Sequence, residues 1–410
     1  MSRLEIINNI LEKWVANYNP LQPRDKYGRW CSMGYWSSFG EKTGLGNPYE
    51  VGENGLTKRS LVGVAGNEIP DKVPRIKTLD GEQKKIQEEF AKNWEDKKKR
   101  AEALKKLKDM EPFNQGTVET DAIKQLDPRW GTKDRFETLT QKEVDGTASL
   151  AEINELAGYR KYRQENNTIL HQTANALAKE YMRQQVAKDP NVTVVVTSGG
   201  CGSGKGFGLQ ELGKKLIKEG SDPKLYSKFE KATSGKKLIW DAAGDQNGTE
   251  LDWVSGLGQK NTVILHTVGD PKFNANNAVY AKKGEAKSQS SGLVKRALSD
   301  GRMVDGTVYA QSYEIGNANA QAFYQSQKGN SNIAFFKIVN PGKGYNGEVK
   351  ETTRLVEFTT KHKFEDIKLS SSQATQLIKD GLKELPDVSQ SVKDSILKGG
   401  TFVSDMLAKF

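Results

Sequence analysis

Two cysteines in 410 residues, Cys31 and Cys201, are too few and too far apart for a disulfide framework. Cys201 also falls inside a glycine-rich segment whose freedom a disulfide would remove, so reduced thiols are expected. No apolar run approaches the ~20 residues of a membrane span, which argues against a transmembrane helix. Apolar residues make up only 35% of the chain. Mean hydropathy is −0.70, which points to a modest core with solvated helices around it. The opening MSRLEIINNILEKW mixes Glu5, Glu12 and Lys13 with Leu4, Ile7, Leu11 and Trp14 at helical spacing. It therefore reads as a helix capped by Ser2 rather than a signal peptide.

What is abundant is charge. Lysine and arginine number 62 against 52 acidic residues, a net +10, with a pI near 9.2. Such a balance allows an acidic partner such as nucleic acid. Much of it sits in mixed runs such as EQKKIQEEFAKNWEDKKKRAEALKKLKD, which read as one long solvated helix over about 81–110. Nucleic acid is therefore not the expected partner.

The length admits two or three domains. Residues 1–147 read as a helical and irregular region, with little periodicity over 30–80 and again from 111 to 147. Ser149 opens a long helix that stops before Asp189-Pro190. Continuous apolar runs follow at VTVVVTS (192–198), KLIWDAA (237–243), NTVILHTV (261–268) and NIAFFKIVN (332–340), with a last one at RLVEFTT (354–360). Unbroken Val/Ile/Leu runs mark strands buried on both faces. With helices between them, residues 148–360 read as an α/β domain with a doubly wound, mainly parallel sheet. Residues 361–410 read as a tail with helices near 371–384 and 387–397, split by Pro386.

The densest signal is VTVVVTSGGCGSGKGFGLQELGKKLIKEG. Glycines directly after a buried strand let the backbone turn its N–H groups toward an anion, and a following helix adds the positive end of its dipole. Gly199, Gly200, Cys201, Gly202, Ser203, Gly204, Lys205 and Gly206 form the expected nucleotide-binding loop, with Lys205 at its exit to bridge β- and γ-phosphates. Leu209, Leu212 and Leu216 stripe the expected helix. The spacing from Gly199 to Lys205 fits the P-loop pattern G-x-x-x-x-G-K, but Gly206 stands where a Ser or Thr ordinarily ligates Mg²⁺. Thr197 or Ser198 is the nearest hydroxyl that could replace it.

Substrate-handling groups belong at the carboxyl ends of neighbouring strands. There, Asp241 ends one strand and Asp245 lies just beyond. One carboxylate could take a proton from an acceptor hydroxyl, and the other could hold Mg²⁺ indirectly. Arg296 and Arg302 bracket the passage VKRALSDGRMVDGTVY and are candidates to neutralise a transferring phosphoryl group.

The order of TSGGCGSGKG, LIWDAAGD, VILHTVGDP, the arginine passage and IAFFKIVNPG resembles the zeta-toxin family of P-loop phosphotransferases over about 150–345. That resemblance implies ATP or GTP with Mg²⁺, and phosphates gripped by Lys205, Arg296 and Arg302. It further implies Asp241 or Asp245 as base toward a hydroxyl of a nucleotide or nucleotide-sugar. An antitoxin partner would also be in keeping. Two departures stand out: Gly206 after the lysine, and a short stretch between loop and aspartate strand. The segment PRDKYGRW (23–30) is similar to short motifs in tailed-phage head and injection-associated proteins. The alternative it implies is a structural or injected phage protein with a virion partner and an inactive nucleotide-binding module. The expected location is the bacterial cytoplasm, or the virion and host cytoplasm for a phage product.

Overall fold

The computed structural model describes residues 81–241, 251, 254, 257, 261–272, 306–341 and 353–383. The expected first helix, the stretch 30–80, the helix at 387–397 and the candidate residues Asp245, Arg296 and Arg302 lie outside them.

Among the described residues, six strands form one sheet: β1 (Thr117–Glu119), β2 (Thr193–Gly199), β3 (Lys237–Asp241), β4 (Thr262–Gly269), β5 (Ile333–Asn340) and β6 (Arg354–Val356). Their order is β1-β3-β2-β4-β5-β6. The first five run parallel and β6 is antiparallel to β5. Every residue of β2 and β4 is buried, as their uninterrupted apolar runs require.

Alternation along the strands divides the core in two. Val194, Val196, Leu238, Trp240 and Ile264 join a large cluster on one face, with helix α1 (Gly81–Glu95), α2 (Lys97–Leu107), the second half of α5 (Leu150–Lys188) and Phe323 of α8 (Gly306–Gln327). Val195, Val263, Leu265, Phe336 and Ile338 point the other way. They meet Ile217 of α6 (Glu211–Gly220) and Tyr226 and Phe229 of α7 (Pro223–Ala232). Helices on both faces of a mostly parallel sheet make an α/β fold compatible with double winding.

Three sequence expectations change. The charged helix is two, because the Asp96 side chain accepts from the backbone N–H groups of Lys98 and Lys99 and starts α2 afresh. The stretch 111–147 is structured. It holds β1, the short helix α3 (Thr120–Ile123) and α4 (Lys133–Val144). β1 lies parallel to β3, so the sheet draws an edge strand from the N-terminal side of residue 147. The run 354–360 pairs over Arg354–Val356 alone. Ser149, by contrast, caps α5 as expected, in a reciprocal capping box with Glu152. Near the end of the described chain, α9 (Ser371–Lys383) packs on α8.

Candidate functional site

The chain leaves β2 for β3 on one side and later adds β4 on the other. The succession thus reverses beside β2, at the kind of switch point where open α/β sheets form a crevice at the strands' carboxyl ends. The glycine loop stands there. Gly199 ends β2 at φ +141°, and a Cβ at that position would lie 2.3 Å from the carbonyl oxygen of Thr267 on β4. Gly204 turns back at φ +84°, where a Cβ would meet Asn340 Nδ2 at 2.4 Å. These two glycines let the loop fold close over the ends of β2, β4 and β5.

Side chains from distant segments fix the loop. Asn340 Nδ2, at the end of β5, donates to Ser203 O at 2.9 Å. Tyr313 on α8 donates its hydroxyl to Cys201 O at 2.9 Å. Ser312 Oγ accepts from Cys201 N–H at 2.9 Å. Lys205 folds back over the loop, Nζ donating to the carbonyls of Gly199 and Gly200 at 3.2 and 3.3 Å. Lys205 pairs with no carboxylate among the described residues. Nor do the N–H groups of Gly202, Gly204, Lys205 and Gly206 have a hydrogen-bond acceptor among them. Ser203 Oγ is buried without a partner among the same residues.

The helix after the loop starts later than expected. Phe207–Leu209 form a 3-10 turn, and α6 begins only at Glu211. Its dipole therefore does not start at Lys205, and Leu209 lies outside it. The cause is local: Gly206 and Gly208 are weak helix formers, and Gln210, at extended backbone angles, makes no side-chain cap.

Asp241 sits at the end of β3, directly across from Thr197 of β2. Thr197 Oγ1 donates to Asp241 Oδ1 at 2.7 Å. Ser198 is also committed, with its Oγ 2.9 Å from His266 Nδ1. His266 Nε2 donates to Asn317 Oδ1 at 2.9 Å, which leaves Nδ1 to accept the Ser198 proton. Burial, reinforced by the nearby Lys337 cation, pushes the imidazole pKa down to about 3, so the ring is neutral.

Ser198, His266 and Lys337 lie in one row across the sheet. Buried Lys337 donates to Thr360 O at 3.0 Å and pairs with Glu365 at 2.6 Å. Both hydroxyls that could stand in for the one missing at Gly206 are thus bonded across the sheet, Thr197 to Asp241 and Ser198 to His266. Among the described residues no cluster of three His, Cys, Asp or Glu side chains could hold a metal. Among the described residues, Asp241 is the expected carboxylate that the structure brings to the crevice.

His266, Asn317, Tyr313, Ser312, Asn340 and Lys337 were missed in the sequence. Two carried a signal: a histidine in VILHTV and a lysine in FFKIV interrupt otherwise apolar buried strands.

No protein-family model matches the chain, and no curated protein matches it. No described helix is long and apolar enough to cross a membrane.

Proposed function

We propose that the chain is an ATP- or GTP-dependent phosphotransferase of zeta-toxin type, acting on a hydroxyl of a nucleotide, nucleotide-sugar or similar small molecule. One observation carries the reading. Among the described residues, Lys205 has no carboxylate partner and four loop amides have no acceptor, all in the loop at a topological switch point, a donor set that suits a polyphosphate. Lys205 would exchange two carbonyl acceptors for the β- and γ-phosphates. Asp241, next to the loop strand, would accept the acceptor's hydroxyl proton as its oxygen bonds the γ-phosphorus and the bond to the β-phosphate oxygen breaks. Arg296 and Arg302 are assigned the neutralisation of the transferring group, and Asp245 is the alternative base.

A second reading, a phage-type structural or injected protein that binds nucleotide without turnover, draws on the late start of α6 and on the tie between the Cys201 amide and Ser312. Both reduce what the loop offers a transition state. Incubation with γ-labelled ATP, Mg²⁺ and a panel of nucleotide and nucleotide-sugar acceptors separates the two. Label transfer that Lys205→Met abolishes supports the kinase. Tight ATP binding with no transfer to any acceptor rejects it in favour of the second reading.

A further inference from the structure

The charged run of the sequence divides unevenly between its two helices. α1 mixes signs, whereas α2 carries six basic residues and one acid in KKKRAEALKKL, followed by Lys108 as its C-cap. Leu104 and Leu107 bury one side of α2, so its charged residues fan out from the core. Lys97, Arg100, Lys105 and Lys108 line a groove of about 320 Å³ between α2 and the end of α5, which contributes Glu180 and Gln184. Glu180 is already paired with Arg183 at 2.7 Å. Among the described residues, no carboxylate pairs with any of the four groove cations. Lys188, the last residue of α5, is close enough to Lys108 that burial and the neighbouring ammonium both lower its pKa. Like charges held together in the folded chain are a standing cost unless an anion answers them.

We propose that this groove is a docking surface for the phosphate backbone of double-stranded DNA. Its lining contains no aromatic side chain, the main platform on which unpaired bases stack. Lysines and an arginine along one helical face fit backbone contact without sequence readout. The site is distinct from the glycine loop. Lys188 leads into the amino end of β2 and the loop leaves its carboxyl end, so the strand's length of about 23 Å separates them.

Fluorescence anisotropy of a short mixed-sequence duplex, titrated with the full chain over about 50 to 200 mM salt, tests the assignment. Expected is binding that weakens with salt. The triple variant Lys97→Gln/Lys105→Gln/Lys108→Gln should lose at least about tenfold in affinity, with the log–log salt slope shallower by about 3. The charge-matched triple Lys98→Gln/Lys99→Gln/Lys106→Gln, drawn from residues of α2 outside the groove, should lose much less. Circular dichroism and an unchanged thermal unfolding midpoint show that both variants are folded. No duplex binding at the lowest salt, equal losses in both triples, or tighter binding of a single strand than of the duplex would each overturn the proposal.

Discussion

The two ends of β2 handle charge in opposite ways. At the carboxyl end, glycine geometry and ties from α8 and β5 fix a backbone loop, over which one lysine folds back. At the amino end the backbone is ordinary helix, and the charge rides on long side chains without carboxylate partners among the described residues. On the proposed reading, a fixed loop would select an anion by shape, whereas a row of flexible cations would answer charge density and little else. The first should be fragile to small backbone changes and tolerant of salt. The second should show the reverse.

The largest expected contrast is in stability. Gly199→Ala would place a Cβ 2.3 Å from Thr267 O on a central strand. It should cost on the order of 3 kcal/mol in urea unfolding, whereas Lys105→Ala should stay within about 0.5 kcal/mol. Equal effects would erase the distinction between the ends. The breaking of the ion pair behind the crevice belongs in the same class: Glu365→Ala leaves Lys337 buried without its carboxylate and should also cost about 3 kcal/mol.

Acid should act at the loop end. His266 has a folded pKa pushed down to about 3 from an ordinary 6.5. Between those values the unfolded chain binds the proton and the folded chain does not. Stability should therefore fall as pH drops below 6.5, by up to about 1.4 kcal/mol per pH unit. His266→Gln should flatten that slope in unfolding curves measured across the window. An unchanged slope would mean that the ring is not held neutral by burial.

Smaller still is the effect of loosening one tether. Asn340→Ala removes the bond to Ser203 O and should cost about 1 kcal/mol, with weaker ATP binding and no change in duplex affinity. A matching loss of duplex affinity would show that the two ends are coupled.

How much of this was legible in the sequence follows from which interactions are local. The β2, β4 and β5 strands were readable because burial on both faces leaves an unbroken apolar run. The glycine loop was readable because its spacing is its geometry. β1 was not, since three residues with one buried valine, Val118, make no periodic signal and need β3 to become a strand. The start of α6 was misplaced because a helix drawn up to Lys205 ignores what Gly206 and Gly208 cost. The ties from Ser312 and Tyr313 span more than a hundred residues, beyond any spacing argument. The basic excess of α2 was hidden because composition averages it with the acids of α1, and only folding separates the two helices.

The central claim is that the glycine loop is a polyphosphate cradle worked by Lys205. Isothermal titration of ATP into the wild-type chain and into Lys205→Met, which keeps the side-chain stem but removes the ammonium, addresses it directly. The account predicts one site in the wild type and a loss of at least about tenfold in the variant, comparable to one charge-assisted phosphate contact. No measurable binding to the wild type, or equal affinity in both proteins, would contradict it.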